Sequence, residues 1–112
     1  MKLPEEGVLL RIFIGEMDTH EGKPLYEQIV LRARQLKLAG ATVIRGIMGF
    51  GAHSRVHTSK ILRMSEDMPV IIEIVDREEK LAELMPFLDE VVKEGLITME
   101  KVRVIKYRHG EE

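Results

Sequence analysis

The sequence contains no cysteine and no tryptophan, and aromatic residues make up only 4% of its 112 positions. The absence of cysteine excludes a disulfide framework, a thiolate metal site and a cysteine nucleophile. No apolar run approaches the length of a membrane-spanning helix, and the N-terminus at residues 1–6 has no hydrophobic signal core. We therefore expect a cytoplasmic protein with an aliphatic core.

The sequence also has little excess charge of either sign, since its formal net charge is −2 although 32% of its residues are charged. The lack of a broad positive field argues against a nucleic-acid partner. High charge content of both signs is typical of thermophilic proteins. With 45% hydrophobic residues in 112, the chain can build one core, and we expect a single domain over residues 1–112.

The pattern of apolar residues predicts the order strand, helix, strand, strand, helix, strand. Strands are predicted at residues 8–14, 42–48, 69–75 and 97–107, and helices at 24–40 and 76–95. This is the ferredoxin-like βαββαβ order, an α+β sandwich in which both helices cover one face of a four-stranded antiparallel sheet.

Several residues mark boundaries within these elements. Gly40 is predicted to cap the first helix, and Asp76 with Glu79 resembles a capping box at the start of the second. Pro86 is predicted to kink the second helix because it has no amide hydrogen to donate. Gly46, inside the second strand, indicates a bulge or a close backbone approach.

The first and third strands are apolar on both sides. Leu9 and Phe13 alternate with Leu10, Ile12 and Ile14 in the first strand. Two helices can cover only one face of the sheet, so something else must cover the second face. We predict that the cover is another copy of the same chain.

Residues 49–68 show no regular apolar period and are predicted to form a long loop, the part of the chain best suited to function. The loop begins with Gly49-Phe50-Gly51, followed by His53, Ser54 and Arg55. Glycine backbones approach anions closely and arginine adds charge, so this stretch is a candidate phosphate cradle. The alternative is that the glycines only turn the chain.

A basic cluster, Arg103, Lys106 and Arg108, ends the last predicted strand. These side chains are candidates for binding a phosphate at a neighbouring subunit, and the alternative is a solvated strand edge. His53 and His57 have the spacing of two ligands on a helix face, but two ligands do not make a metal site. No nucleophile, base and orienting group appear together, so we expect no enzyme activity.

Gly40-Ala41-Thr42-Val43, Gly49-Phe50-Gly51 and the ending Ile105–Glu111 resemble the PII signalling proteins. The phrases Gly49–Ser54 and Ser65–Val70 resemble more closely an uncharacterised group of bacterial PII-like proteins of about this length.

The resemblance implies a ferredoxin-like homotrimer that binds an adenine nucleotide in clefts between subunits, with no obligatory cofactor. It places Thr42 near the adenine, Gly49 and Gly51 at the phosphates, and Lys106 and Arg108 as sources of charge. It also implies signalling through the 49–68 loop to a protein partner, for which a membrane transporter is one candidate.

The sequence departs from PII in three places, and the first is one extra residue in the second strand, consistent with a bulge at Gly46. The stretch before the last strand, Lys93–Thr98, lacks the glycine- and lysine-bearing loop of PII, and the long loop lacks the tyrosine that is uridylylated in some PII proteins. Sensing of ATP with 2-oxoglutarate is therefore not expected, and ADP is the expected ligand, ahead of AMP and ATP. The alternative function is that of a CutA-like metal-binding trimer.

Overall fold

A computed structural model describes residues 6–51, 67–108 and 110 of the chain. The elements in chain order are β1 (Glu6–Gly15), β2 (Thr19–His20), β3 (Lys23–Pro24), α1 (Leu25–Gln35), β4 (Thr42–Arg45), β5 (Pro69–Asp76), α2 (Glu78–Leu81), α3 (Met85–Val91) and β6 (Leu96–Arg103). The main sheet has the strand order β4-β5-β1-β6, and each of its pairs is antiparallel. The predicted ferredoxin-like fold is confirmed.

One face of the sheet packs against the helices. Strand β1 contributes Leu10, Ile12 and Ile14 to this core, and α1 contributes Leu25, Ile29 and Ala33. The other core residues are Leu38, Val70, Ile72, Ile74, Leu81, Leu84, Leu88 and Val91. Burial of these aliphatic side chains is the main source of stability for such a small fold.

The opposite face of the sheet, which we call the open face, carries Leu9 and Phe13 of β1 beside Ile71 and Val75 of β5. These four apolar residues are half-buried. Near the middle of the face, Arg11 Nε lies 3.0 Å from Glu73 Oε2, and Arg11 Nη1 lies 3.9 Å from Glu100 Oε1. The apolar character predicted for both sides of these strands is therefore present.

The second strand is shorter than the predicted 42–48, because β4 ends at Arg45. Its partner β5 begins at Pro69, whose carbonyl accepts a hydrogen bond from Gly46 N at 2.7 Å. Proline has no amide hydrogen to extend the ladder. A Cβ on Gly46 would lie 2.8 Å from Pro69 Cγ, so the predicted close approach at Gly46 is confirmed.

The last strand is also shorter than predicted, since β6 ends at Arg103, paired with Glu6 at the start of β1. The following residues leave the ladder at this end of the sheet. A Cβ on Gly7 would lie 3.2 Å from a Val104 methyl, and Tyr107 Oη donates a hydrogen bond to Ala39 O at 3.1 Å.

The cap predicted at Gly40 is wrong. Helix α1 ends at Gln35, and Lys37 adopts the left-handed conformation with φ of 63°. Leu38 N donates to Ala33 O and Lys37 N donates to Arg34 O, the bonding pattern of a Schellman motif. The backbone hydrogen bonds therefore close the helix three residues before Gly40.

The capping box at Asp76 is wrong as well, because the residue preceding α2 is Arg77 and it makes no side-chain cap. Asp76 is fully buried and accepts hydrogen bonds from Ala39 N at 2.9 Å and Arg77 N at 2.7 Å. The predicted kink at Pro86 takes the form of a break between α2 and α3, with Pro86 in the first turn of α3.

The hairpin of β2 and β3 lies before the first predicted helix, apart from Pro24, in a stretch for which the sequence pattern predicts no element. Glu21 and Gly22 both have positive φ, 54° and 80°, which is typical of a type I′ turn. Gln28 Nε2 donates to His20 O at 2.6 Å and to Lys23 O at 3.1 Å, which fixes the hairpin against α1.

Candidate functional site

A cavity of about 620 Å³ lies at the end of the sheet where β1 ends and β5 begins. Three groups of residues line it: Phe13, Ile14, Gly15 and Asp18; Gly49, Phe50, Gly51, Asp67 and Pro69; and Lys93, Glu94, Gly95 and Leu96. The volume falls in the range of small-molecule sites in proteins. The predicted glycine segment at 49–51 and the short stretch before the last strand therefore share one cavity.

The glycines at 46 and 49 have a packing role. A Cβ on Gly49 would lie 3.1 Å from Pro69 Cγ, the ring atom that also approaches Gly46. The chain that leaves β4 is thus folded closely over Pro69. Phe50, between the two cavity glycines, is 76% exposed and has no core role in the subunit.

The opposite wall of the cavity is held by a second close approach. A Cβ on Gly95 would lie 2.6 Å from Phe13 O, and since that atom is backbone it cannot move aside. Because Gly95 has no side chain, the chain passes close to β1 at this point, and Lys93 and Glu94 line the cavity together with the end of that strand. Leu96 begins β6 next to Phe13 and is 56% exposed.

The lining of the cavity includes two carboxylates that the sequence pattern does not assign to a site. Asp18 Oδ2 accepts a hydrogen bond from Gly15 N at 3.0 Å, and Asp67 Oδ1 accepts one from Met17 N at 2.9 Å. Both carboxylates approach the position that a Gly15 side chain would occupy, within 2.7 Å for Asp67 and 3.1 Å for Asp18. The sequence signal for these two carboxylates is an acidic residue shortly after the end of β1, Asp18, and another shortly before the start of β5, Asp67.

The charge balance of this lining is negative. Asp18, Asp67 and Glu94 carry three negative charges, and Lys93 carries the one positive charge among the described residues that line the cavity. A phosphorylated ligand placed here would need further positive charge from outside this lining.

The predicted basic residues lie towards the other end of the sheet. Lys106 and Arg108 flank Tyr107, whose hydroxyl is bonded to Ala39 O. Their chain reaches that point past Gly7, at the far end of β1 from Gly15. At the usual rise of a strand, these two ends of β1 are separated by about 26 Å.

Thr42 lies between the two groups. It pairs with Glu73, four residues along β5 from Pro69, and is exposed at the edge of the sheet. The strand rise puts Thr42 about 13 Å from the cavity end. One subunit therefore brings Gly49, Phe50 and Gly51 to the cavity but does not bring Thr42, Lys106 and Arg108 there. His53, Ser54 and Arg55 lie outside the described residues.

Metal ligation and membrane insertion find no support in the described part of the chain. Across residues 6–51, 67–108 and 110, no three His, Cys, Asp or Glu side chains come together in a way that could hold a metal ion. His53 and His57 are not among these residues. Within the same ranges, no helix has the length and apolar character needed to cross a membrane.

Residues 7–104 match the family DUF190, described as "Uncharacterized ACR, COG1993". The chain belongs to the DUF190 family. It is 42% identical over 99 residues to a UPF0166 protein of Aquifex aeolicus, covering 87% of this chain and 91% of the relative. It is 39% identical over 99 residues to UPF0166 protein MJ1524 of Methanocaldococcus jannaschii, covering 88% and 91%.

Among solved structures, the chain is similar to CPII of Thiomonas intermedia K12 bound to ADP, AMP and acetate. The TM-score is 0.65 at 14% sequence identity, and 90% of each chain is covered. This likeness shows that the DUF190 chain has a PII-like fold, and it confirms the resemblance noted in the sequence.

Proposed function

We propose that this DUF190 protein is a PII-like regulator that binds an adenine nucleotide, with ADP as the first candidate, in clefts between the subunits of a homotrimer. Segment 49–68 would carry the signal to a protein partner. The proposal describes a binding protein and not an enzyme. CPII, whose fold this chain shares, has been solved with ADP and AMP bound.

The observation that carries the proposal is the separation of the cavity from the basic cluster. The described lining of the cavity has one cation against three carboxylates, whereas Lys106 and Arg108 lie towards the opposite end of β1. A second copy of the chain would supply the missing charge if its basic end met the cavity. Phosphate binding would then require the assembly.

The open face supports such an assembly. Leu9, Phe13, Ile71 and Val75 lie on a face that the helices do not cover, and Ile44 of the neighbouring strand, paired with Ile71, is 42% exposed. Apolar side chains on both sides of the Arg11–Glu73 ion pair, on a sheet face that the helices leave uncovered, are typical of a protein interface. Covering it with a second and a third copy would bring neighbouring subunits into contact along the sheets.

Calorimetric titration with ADP, AMP and ATP tests the proposal, with Gly51→Val and Arg108→Ala as the site variants. We expect the wild type to bind ADP and each variant to lose roughly tenfold or more in affinity. The valine side chain at position 51 would keep the phosphates away from the backbone, and alanine at position 108 would remove a charge-assisted hydrogen bond. Gly40→Val is the control for Gly51→Val, since no described atom lies within 4 Å of a Cβ at Gly40. Arg34→Ala, on the exposed side of α1, is the control for Arg108→Ala.

Nucleotide binding that is unchanged in both site variants would refute the proposed site, and no binding to any of the three nucleotides would refute the proposed function.

Sustained release of AMP or phosphate from bound nucleotide, lost in Gly51→Val, would instead indicate an enzyme. A CutA-like metal trimer would be stabilised by transition-metal ions and not by ADP. A ligand at a hundredfold its dissociation constant adds about 2.7 kcal/mol of stability, which thermal unfolding detects readily.

A further inference from the structure

The turn at residues 15–18, which we call the linking turn, connects β1 to the small hairpin and touches three parts of the molecule. It contributes Gly15 and Asp18 to the cavity. It also bonds to the two chain segments that lie on either side of residues 52–66, one at the end of β4 and the other at the start of β5. The linking turn therefore joins the cavity to both of these segments.

The first bond is an ion pair at the end of β4. Arg45 Nε donates to Glu16 Oε1 at 2.9 Å, with the arginine side chain 53% exposed and the glutamate 29% exposed. The next residue, Gly46, is bonded to Pro69 O. The Glu16 carboxylate thus helps to fix the position at which the chain leaves the sheet.

The second set of bonds is at the start of β5. Glu16 N donates to Met68 O at 2.7 Å, and Met17 N donates to Asp67 Oδ1 at 2.9 Å. Glu16 therefore binds one flanking segment through its side chain and the other through its backbone. A shift of this one residue changes the geometry of both segments.

The cavity responds to the same turn. Asp67, held by Met17, and Asp18, held by Gly15, both line the cavity. Glu16 and Arg45 do not line it. A ligand that contacts Gly15 or either carboxylate would therefore act on the ion pair through the turn, without touching it.

We propose that Glu16 is a positioning residue that couples occupancy of the cavity to the geometry of both segments flanking residues 52–66. The inference deepens the proposed function and rests on it for the identity of the ligand. Coupling between two sites is reciprocal, so a change at the Glu16–Arg45 pair must alter the affinity of the cavity for its ligand.

The test uses Glu16→Gln, which keeps the backbone bond to Met68 and removes the ion pair. We expect the affinity for ADP to fall roughly two- to fivefold, the range that corresponds to a partly exposed ion pair. Exchanging the charges, with Glu16→Lys and Arg45→Glu together, is expected to restore part of the ADP affinity that Glu16→Gln loses. Glu83→Gln is the control, because its ion pair with Lys80, at 3.5 Å, is remote from the cavity.

A second measurement needs no nucleotide and is independent of the proposed function. Amide hydrogen exchange in Glu16→Gln is expected to rise at Gly46 and at Met17 together, although Met17 is bonded to the other segment. Exchange that rises at Gly46 alone, or ADP affinity equal to that of Glu83→Gln, overturns the coupling. If the wild type fails to bind ADP, the proposed function falls, and the exchange result still decides whether Glu16 joins the two segments.

Discussion

Replacing Asp76 with alanine removes a buried acceptor that joins β5 to the chain between α1 and β4. Asp76 has 0% exposure, and its two carboxylate oxygens accept hydrogen bonds from Ala39 N and Arg77 N. A hydrogen bond to a charged group contributes about 1.5–3 kcal/mol, and an unsatisfied buried donor has a similar cost. Arg77 is exposed and Ala39 is half-buried, so water can accept hydrogen bonds from the two freed N–H groups and reduce this cost in part.

We therefore expect Asp76→Ala to lower the free energy of unfolding by about 2–4 kcal/mol. Asp76→Asn retains one carbonyl acceptor and turns an amide group towards the other donor, and we expect a loss of about 1–3 kcal/mol. The assay is urea unfolding followed by circular dichroism, at one protein concentration, because association would contribute to the apparent stability.

The control is Asp89→Asn, at an exposed position on α3, which we expect to change stability by no more than about 0.5 kcal/mol. The expected order of destabilisation is Asp76→Ala, then Asp76→Asn, then Asp89→Asn. A value for Asp76→Ala within the range of the Asp89 control would refute the reasoning, since the buried bonds to Ala39 and Arg77 would then contribute nothing measurable.

Two further substitutions test the cavity wall and the open face. Gly95→Ala would place a methyl group 2.6 Å from Phe13 O, so we expect a loss of about 1–3 kcal/mol in the same unfolding assay, and an unchanged stability would contradict the close approach. Ile71→Glu puts a charge on the open face, and we expect the proposed trimer to dissociate to a subunit of 12.9 kDa by light scattering. Leu31→Glu, at a 57% exposed position on α1, is its control, and the same mass for Ile71→Glu and wild type would remove the open face from the interface.

The sequence predicts the order of the main elements and most of the core because both depend on the period of apolar residues. The stripe of Leu25, Ile29 and Ala33 is buried as its spacing indicates. The close approach at Gly46 is predictable too, because a glycine inside a β-rich run often marks a place where another part of the chain comes near.

The two capping errors have different causes, one local in the sequence and one distant. Lys37, and not Gly40, takes the left-handed position because backbone bonds to Ala33 and Arg34 close the helix earlier. Asp76 has the sequence pattern of a local cap, yet its partner Ala39 is 37 residues away. A one-dimensional pattern carries no information about such a partner.

The candidate site is predictable only in part. Gly49, Phe50 and Gly51 do line the cavity, but Asp18 and Gly95 join them only because the strands bring them to the same end of the sheet. The roles that the PII resemblance implies for Thr42, Lys106 and Arg108 stay predictions, since they depend on how copies of the chain meet.

The most direct measurement of the central claim is an amide NMR titration of the protein with ADP, because glycine amides are well separated and report on the cavity. We predict chemical-shift changes at Gly15, Gly49, Gly51 and Gly95, which line the cavity, and none at Gly22, in the turn of the hairpin. Unchanged cavity glycines at saturating ADP, or changes confined to other parts of the chain, would contradict the account.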